Sequence, residues 1–247
     1  MSIRLRLERV ARRFGGLQAV VDFSLTASAG ERIAIIGPNG AGKTTLFNLI
    51  SGELAPTGGR IELLGRDVTR MPPHRRAALG LGRTYQLTNL FPRLSVLENT
   101  LLAVVALRPM RYVAWWPLAA YRDPLDRAQA LLAPLGLWER RDDPVAELSY
   151  GEQRQVEIAL AMAPGPTVLL LDEPTSGLSA AETRIVHALL QGLPRTITVL
   201  LIEHDMGVAF DLADRMVVMH QGRILAEDTP EAVRRNPRVQ EIYLGSA

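Results

Sequence analysis

The nine residues from position 37 to position 45 have the types and spacing that phosphate binding requires. They read GPNGAGKTT and contain Lys43, the only lysine among 28 basic side chains. Glycines let backbone N–H groups turn inward, and the helix predicted behind them adds the positive end of its dipole. Lys43 would supply a compact charge for the β- and γ-phosphates and Thr44 a hydroxyl for Mg²⁺. The sequence therefore predicts a nucleotide-triphosphate loop formed by Gly37, Pro38, Asn39, Gly40, Ala41, Gly42, Lys43, Thr44 and Thr45. The alternative is a glycine-rich helix cap without a ligand.

Two carboxylates follow the apolar run in VLLLDEP at positions 168–174. A strand of this type delivers them to the carboxyl edge of a parallel sheet, where such folds bind ligands. We expect Asp172 to hold Mg²⁺, usually through water, and Glu173 to orient the water that attacks the γ-phosphate. The alternative is a solvated turn, and the phosphate loop upstream favours the catalytic interpretation.

A third group opens a predicted helix at LSYGEQRQVEIALAM, positions 148–162. Ser149 and Glu152 have the spacing of a capping box, which by itself marks an ordinary helix start. Gly151 leaves the helix N-terminus uncluttered. Its backbone N–H groups could therefore meet an anion that another molecule presents.

Buried parallel strands and helices are expected to position these groups. Continuous apolar runs predict parallel strands at 32–36, 168–171, 197–202 and 216–219. Alternating runs predict an antiparallel layer at 3–10, 20–26 and 60–64. A helix is expected at 44–50, and residues 90–163 read as an inserted helical lobe without a convincing strand.

Composition excludes several classes of site and partner. The chain has 247 residues, a formal charge of +2 and no cysteine, so disulfides, zinc–thiolate sites and thiol catalysis are excluded. The small net charge does not call for a nucleic-acid partner. The N-terminus has no secretory segment, and arginines and prolines interrupt the most apolar stretch, 101–121. Trp115 and Trp116 in that stretch predict either core packing or a docking patch.

Six motifs in series give the chain a resemblance to the ABC ATPases. The Walker A, Q-loop, signature, Walker B, D-loop and H-loop of that family resemble residues 37–45, Gln86, 148–153, 169–174, 176–179 and His204. The likeness covers essentially the whole chain. It implies an α/β P-loop NTPase core with a mainly parallel sheet, an N-terminal antiparallel β layer and an inserted α-helical lobe. The implied lobes are 1–87 with 164–226 for the catalytic core, 88–163 for the helical subdomain and 227–247 for a C-terminal tail.

The same resemblance implies roles that the single residues would not reveal. Two subunits would face head to tail around ATP and Mg²⁺, so that Ser149, Gly151 and Glu152 act on nucleotide held by the partner. Gln86 would contact Mg²⁺ or the attacking water, and His204 the γ-phosphate. Phe14 would stack on adenine, with a place in the core as the alternative.

Two positions depart from the family pattern. Tyr150 stands where the signature usually has glycine, and Ser179 stands where the D-loop commonly ends in aspartate. A tyrosine side chain that points away from the phosphate would leave the backbone donors in place. Ser179 bears on communication between the two nucleotide sites.

Finer resemblance indicates one branch of the family. Residues 82–103, 201–206 and 227–245 resemble the ATP-binding subunits of branched-chain amino acid importers. This implies a peripheral ATPase on the cytoplasmic face of the inner membrane, with membrane permease subunits and no nucleic acid as partners. It would dimerise with a copy of itself or with a second ABC ATPase, and a solute-binding protein would be an indirect partner.

Other functions remain as alternatives to the importer. Relatives of this type also serve urea, short amides or aromatic acids, so the solute stays open. A lipopolysaccharide-exporter ATPase has a similar length and motif order. ABC ATPases of DNA repair or translation would show a long coiled coil or two nucleotide domains, and the sequence has neither. A binding module without turnover is disfavoured by Glu173 and His204.

Overall fold

The computed structural model describes residues 2–84, 90–107 and 122–244. One sheet is antiparallel and has the order β2-β1-β4-β5. Its strands are β1 (Ile3–Phe14), β2 (Leu17–Ser28), β4 (Gly58–Leu63) and β5 (Arg66–Asp67). The hairpin of β1 and β2 turns at Gly15 and Gly16, which lets two long alternating segments pair along their length.

The second sheet has six strands in the order β10-β9-β3-β8-β7-β6. Its members are β3 (Arg32–Ile36), β6 (Leu81–Arg83), β7 (Val168–Asp172), β8 (Thr198–Ile202), β9 (Arg215–His220) and β10 (Arg223–Asp228). The first five pair in parallel, and β10 is antiparallel to β9. Every residue of β3, β7 and β8 is buried, as expected for strands covered on both faces.

Helices connect the strands and cover the parallel sheet. They are α1 (Lys43–Ser51), α2 (Pro73–Ala78), α3 (Val96–Val105), α4 (Arg122–Leu132), α5 (Tyr150–Met162), α6 (Ala180–Gln191), α7 (Met206–Leu212), α8 (Pro230–Arg235) and α9 (Pro237–Leu244). None of the helices in the described ranges is both long enough and apolar enough to span a bilayer.

The core lies on both faces of the parallel sheet because alternate side chains of a strand point to opposite faces. Ile33 and Ile35 of β3 pack with Phe47 of α1 and with the antiparallel sheet. Ala34 and Ile36 pack on the other face with α6 and α7. A separate apolar cluster joins α3, α4 and α5.

The strand order explains how distant motifs meet. β3, β8 and β7 are neighbours and run in parallel, so their carboxyl ends share one edge of the sheet. The loop of residues 37–42 leaves β3 at that edge, β7 ends there with Asp172, and Glu203 and His204 follow β8. This is the edge where open α/β sheets bind their ligands.

The α/β class and the expected strands and helix are confirmed, with ends that shift by a few residues. β3 has the expected bounds, whereas β1 and β2 are longer than the alternating runs indicated. The short strand β6 and the edge strand β10 were not predicted. The Trp115–Trp116 expectation lies outside the described residues.

Candidate functional site

The phosphate loop lies so close to neighbouring backbone that only glycine fits at two of its positions. A Cβ on Gly37 would lie 2.2 Å from the carbonyl oxygen of Met219, and a Cβ on Gly42 would lie 2.3 Å from that of Ala19. Gly42 also has a φ of +101°, which L side chains rarely adopt. Strands β9 and β2 therefore fix the course of the loop.

The helix behind the loop presents an open N-terminus. Gly42 caps α1 without any side-chain hydrogen bond, so the first N–H groups of the helix have no side-chain cap. Lys43 is buried and donates from Nζ to the carbonyl oxygens of Gly37, at 2.6 Å, and Pro38, at 3.0 Å. Burial lowers the pKa of Lys43, and the nearby carboxylates Glu173 and Asp172 oppose this shift. This end of α1 is suited to an anion.

Asp172 is a buried carboxylate whose oxygens make no hydrogen bond within the described part of the chain. Arg83 Nη2 lies 3.5 Å from Oδ2, and the Asp172 backbone N–H donates to the hydroxyl of Thr84 at 3.1 Å. Burial raises the pKa of Asp172, which Arg83 opposes and Glu173 reinforces. Unsatisfied carboxylate oxygens beside the phosphate loop fit a hard divalent cation such as Mg²⁺.

Glu173 adopts a backbone conformation that is rare for its residue type. Its φ is +48°, in the left-handed region that costs a non-glycine residue on the order of 1 kcal/mol. This turn places Glu173 Oε1 2.5 Å from Nε2 of His204. The His204 side chain is 44% exposed and that of Glu173 is 12% exposed, so the imidazole lies between the carboxylate and solvent at the edge of the sheet. The two predicted catalytic side chains therefore lie together.

Glu203 is an interior anchor of the same edge that sequence reasoning missed. It is buried, and it accepts hydrogen bonds from the Thr175 hydroxyl at 2.7 Å and from the His204 backbone N–H at 3.1 Å. Burial raises its pKa, which these hydrogen bonds oppose. The signal that could have indicated it is an acidic residue directly after an apolar strand.

Arg154 on α5 is a second residue that was missed. Its Nη2 donates to the carbonyl oxygens of Asp172 and Glu173, both at 2.7 Å, and Nη1 pairs with Glu157 at 2.6 Å. The guanidinium therefore ties α5 to the backbone that carries both carboxylates. A charged residue on an otherwise buried helix face was the available signal.

The N-terminus of α5 has the predicted capping box. Ser149 accepts from the Glu152 N–H at 3.3 Å, and Glu152 accepts from the Ser149 N–H at 2.8 Å and from Arg140 at 2.7 Å. The Tyr150 side chain lies beside Gly177, since a Cβ on that glycine would lie 3.1 Å from its ring. Ser149, Gly151 and Glu152 thus form a second group, whose contacts in this chain are with Arg140 and α6.

Phe14 lies at the end of β1, and 42% of it is exposed. The Arg12 guanidinium lies 4.6 Å from the ring centroid. An exposed ring rules out the alternative that Phe14 is a core residue. Gln86, expected at the Mg²⁺ or the attacking water, lies outside the described residues.

Comparison with known families matches residues 20–176 to the family described as ABC transporter. Residues 223–247 match a second family, described as branched-chain amino acid ATP-binding cassette transporter. The two matches together span the phosphate loop, both carboxylates, the N-terminus of α5 and the C-terminal helices.

Curated relatives match this chain over nearly their full length. The high-affinity branched-chain amino acid transport ATP-binding protein LivG of Salmonella typhimurium is 42% identical and covers 95% of each chain. BraF of Pseudomonas aeruginosa, which carries the same description, is 39% identical and covers 98% of each chain. The lipopolysaccharide export system ATP-binding protein LptB of Acidithiobacillus ferridurans is 34% identical, covering 99% of this chain and 98% of the relative.

Solved structures agree with the fold. MJ1267, an ATP-binding cassette of an ABC transporter, superposes with a TM-score of 0.86 at 30% identity, covering 98% of this chain and 99% of that one. The ATP-binding cassette MJ0796, a dimer bound to ADP and Pi, has a TM-score of 0.79 at 26% identity, covering 92% and 98%. The chain therefore belongs to the ABC transporter family, as an ATP-binding subunit that hydrolyses ATP.

Proposed function

We propose that this chain is the ATP-hydrolysing subunit of an importer for branched-chain amino acids. The observation that carries this proposal is the match of residues 223–247 to the branched-chain amino acid ATP-binding cassette family. Those residues comprise β10, α8 and α9, which follow the ATPase motifs along the chain. The higher identity to LivG than to LptB, 42% against 34%, also favours import over lipopolysaccharide export.

The residues at the sheet edge divide the work of hydrolysis. Backbone N–H groups of residues 37–45 and the Lys43 ammonium bind the β- and γ-phosphates. Glu173 accepts a proton from the attacking water and orients it, which is the role of a general base. His204, whose Nε2 lies against that carboxylate, contacts the γ-phosphate and holds Glu173 in place. Phe14 stacks its exposed ring on adenine.

The metal ligands in this proposal are Thr44, Gln86 and Asp172. The buried, unsatisfied oxygens of Asp172 support its part, and Thr44 is exposed at the start of α1. A bound Mg²⁺ would neutralise charge that develops on the phosphate oxygens. The positive charge of the cation would lower the pKa of Asp172 and so offset the rise that burial causes.

Two cassettes share each nucleotide in this proposal. The phosphate loop of one subunit and the α5 N-terminus of the other, with Ser149, Gly151 and Glu152, enclose the ATP. The dimer of the related cassette MJ0796 supports such an assembly. The second cassette is a copy of this chain or a similar ABC ATPase.

The cassette pair acts on membrane permease subunits from the cytoplasmic face of the inner membrane. The inserted helical subdomain, residues 88–163, and the segment around Gln86 receive the permease, and residues 1–87 with 164–226 form the catalytic core. The tail from 227 to 247 packs on that core or on a neighbouring subunit. A solute-binding protein delivers the amino acid to the permeases on the other side.

Uptake by a reconstituted complex tests this function. The chain, co-purified with its permeases and placed in liposomes with the solute-binding protein, should accumulate labelled leucine when ATP is supplied. Glu173→Gln should lower both uptake and hydrolysis by about 100-fold or more, because the activating carboxylate is lost. The control is Glu231→Gln, an exposed glutamate on α8, which should leave both rates unchanged.

Two results would contradict the proposal at different levels. ATP-driven movement of a lipid-linked saccharide, without leucine uptake, would reject the importer and favour the export system. Equal hydrolysis by Glu173→Gln and the parent chain would reject Glu173 as the activating carboxylate.

A further inference from the structure

Glu182, in the first turn of α6, makes contacts beyond its own helix. It forms a capping box with Ser179, whose N–H and hydroxyl donate to Oε2 at 2.8 and 2.7 Å. Its other oxygen, Oε1, lies at the N-terminus of α5. A Cβ on Gly151 would lie only 2.1 Å from Oε1, so the carboxylate rests on the Cα of that glycine.

The carboxylate accepts hydrogen bonds from Ser179 of α6 and at the same time lies against the N-terminus of α5. The Ser179 hydroxyl and N–H lower the pKa of Glu182 most, and the Gly151 N–H and the Ser149 hydroxyl lower it further. Glu182 is therefore ionised at neutral pH. The two α5 donors are the same groups that the proposed dimer directs at the partner's nucleotide.

We propose that Glu182 is a positioning residue of the α5 N-terminus, which holds the Ser149 and Gly151 donors in place and yields them to the γ-phosphate bound by the partner subunit. The inference rests on the proposed function, since it states that the Glu182 carboxylate contacts the Ser149 and Gly151 donors before the dimer closes. The carboxylate stands where the phosphate oxygens must arrive. It keeps the donors oriented while the subunits are apart.

The Glu182 carboxylate and the γ-phosphate cannot both bind the α5 N-terminus, because both are negatively charged. A carboxylate and a phosphate at the same donors repel each other, and each would leave the other's charge poorly satisfied. Glu182 must therefore turn away when ATP binds across the interface. Its remaining bonds to Ser179 provide the place to which it withdraws, which couples closure of the site to the first turn of α6.

Neutralising Glu182 should make dimer closure easier. The test places Glu182→Gln in a Glu173→Gln background, which blocks hydrolysis, and measures the dimer fraction by sedimentation across a series of Mg·ATP concentrations. Because a neutral amide competes less with phosphate, half-maximal dimerisation should need roughly three- to tenfold less ATP. Binding of a fluorescent ATP analogue to the monomer should not change, since the phosphate loop is untouched.

A matched control comes from α3. Glu98 forms the same kind of capping box with Ser95 at the start of α3, so its carboxylate caps a different helix. Glu98→Gln in the same background should need the same ATP concentration as the parent, within about twofold. A general effect of losing a capping charge would move both variants equally and would overturn the inference.

Other outcomes separate the inference from the proposed function. If Glu182→Gln needs the same or a higher ATP concentration for half-maximal dimerisation, and the parent dimerises normally, the inference alone is overturned. A parent that stays monomeric at saturating ATP would reject the proposed dimer and the inference with it. If the amide variant folds poorly, Glu182→Asp serves instead, because its shorter side chain withdraws from Gly151. Equal ATP demand in that variant and the parent would also overturn the inference.

Discussion

Adjacent carboxylates at the end of β7 have different partners, which supports the different roles proposed for them. Asp172 is fully buried, with oxygens that lack hydrogen bonds in the described structure. Glu173 turns through a positive φ to reach His204 at the solvent edge. These positions support the proposed roles, in which Asp172 is a ligand of the cation and Glu173 orients the attacking water. The difference arises from one backbone turn between two neighbouring residues.

The environment of Asp172 predicts a stability that depends on pH. Because burial raises its pKa in the folded state, the folded chain binds more protons than the unfolded chain between the two pKa values. Stability contributed by this group therefore falls as pH rises through that window. At neutral pH, Asp172→Asn should raise the melting temperature of the nucleotide-free chain by about 2–4 °C, equivalent to about 1 kcal/mol. Calorimetry from neutral pH down to about pH 4 should show the gain shrinking as the pH falls toward the unfolded pKa.

The same substitution should sharply reduce Mg²⁺-dependent hydrolysis, since an amide is a poorer ligand for a hard cation. Asp142→Asn is the control, because that side chain is 77% exposed and distant in sequence from the loop. An Asp172→Asn chain less stable than the parent at every pH would contradict the argument. It would show that the contact with Arg83 outweighs the cost of burial.

At the scale of elements, α5 makes two kinds of contact, one in its first turn and one in the next turn. Its N-terminus presents Ser149 and Gly151, and one turn later Arg154 grips the carbonyl oxygens of Asp172 and Glu173. We therefore expect movement of α5 to be transmitted to the backbone of both carboxylates. Glu203 fixes the same edge from β8 through Thr175 and His204.

Arg154→Lys should uncouple α5 from the end of β7. An ammonium cannot reproduce the fork that bonds two carbonyls and Glu157, so we expect a loss of about 1–3 kcal/mol in the free energy of unfolding. Hydrolysis should fall while ATP affinity changes little. Denaturant unfolding and nucleotide titration measure these effects. The control is Arg184→Lys, an exposed position on α6, and equal stability of the two variants would refute the clamp.

Sequence reasoning located the elements but not the contacts between them. Short-range patterns predicted the phosphate loop, the end of β7 and the capping box of α5, since each depends on neighbouring residues. Arg154 and Glu203 were not predicted from the sequence because their partners lie on other elements. The contact of Glu182 with Gly151 joins residues 31 positions apart, and no local pattern encodes it. Strand β10 was not predicted because it is half-exposed and its apolar and polar residues show little alternation.

For the whole molecule, the proposed sharing of ATP predicts complementation between two inactive variants. Lys43→Ala should disable the phosphate loop, and Ser149→Ala should disable the α5 N-terminus. In a mixed dimer, one site carries both defects and the other site carries neither. An equal mixture should therefore recover about a quarter of the parent rate if the copies exchange freely and the sites act independently.

Phosphate release from each variant alone and from the mixture measures this effect. Each variant alone provides the baseline. A mixture no more active than that baseline would contradict action across the interface when the unmodified chain hydrolyses ATP as a homodimer.

Lys43 is the only lysine of the chain, which makes it a selective target for chemical labelling. Its ammonium is held by the carbonyl oxygens of Gly37 and Pro38. An acylating or other amine-directed reagent finds a single ε-amine among the side chains, and that amine lies within the catalytic loop. The extent of covalent labelling at Lys43 therefore reports whether nucleotide occupies the phosphate loop, without background from surface lysines.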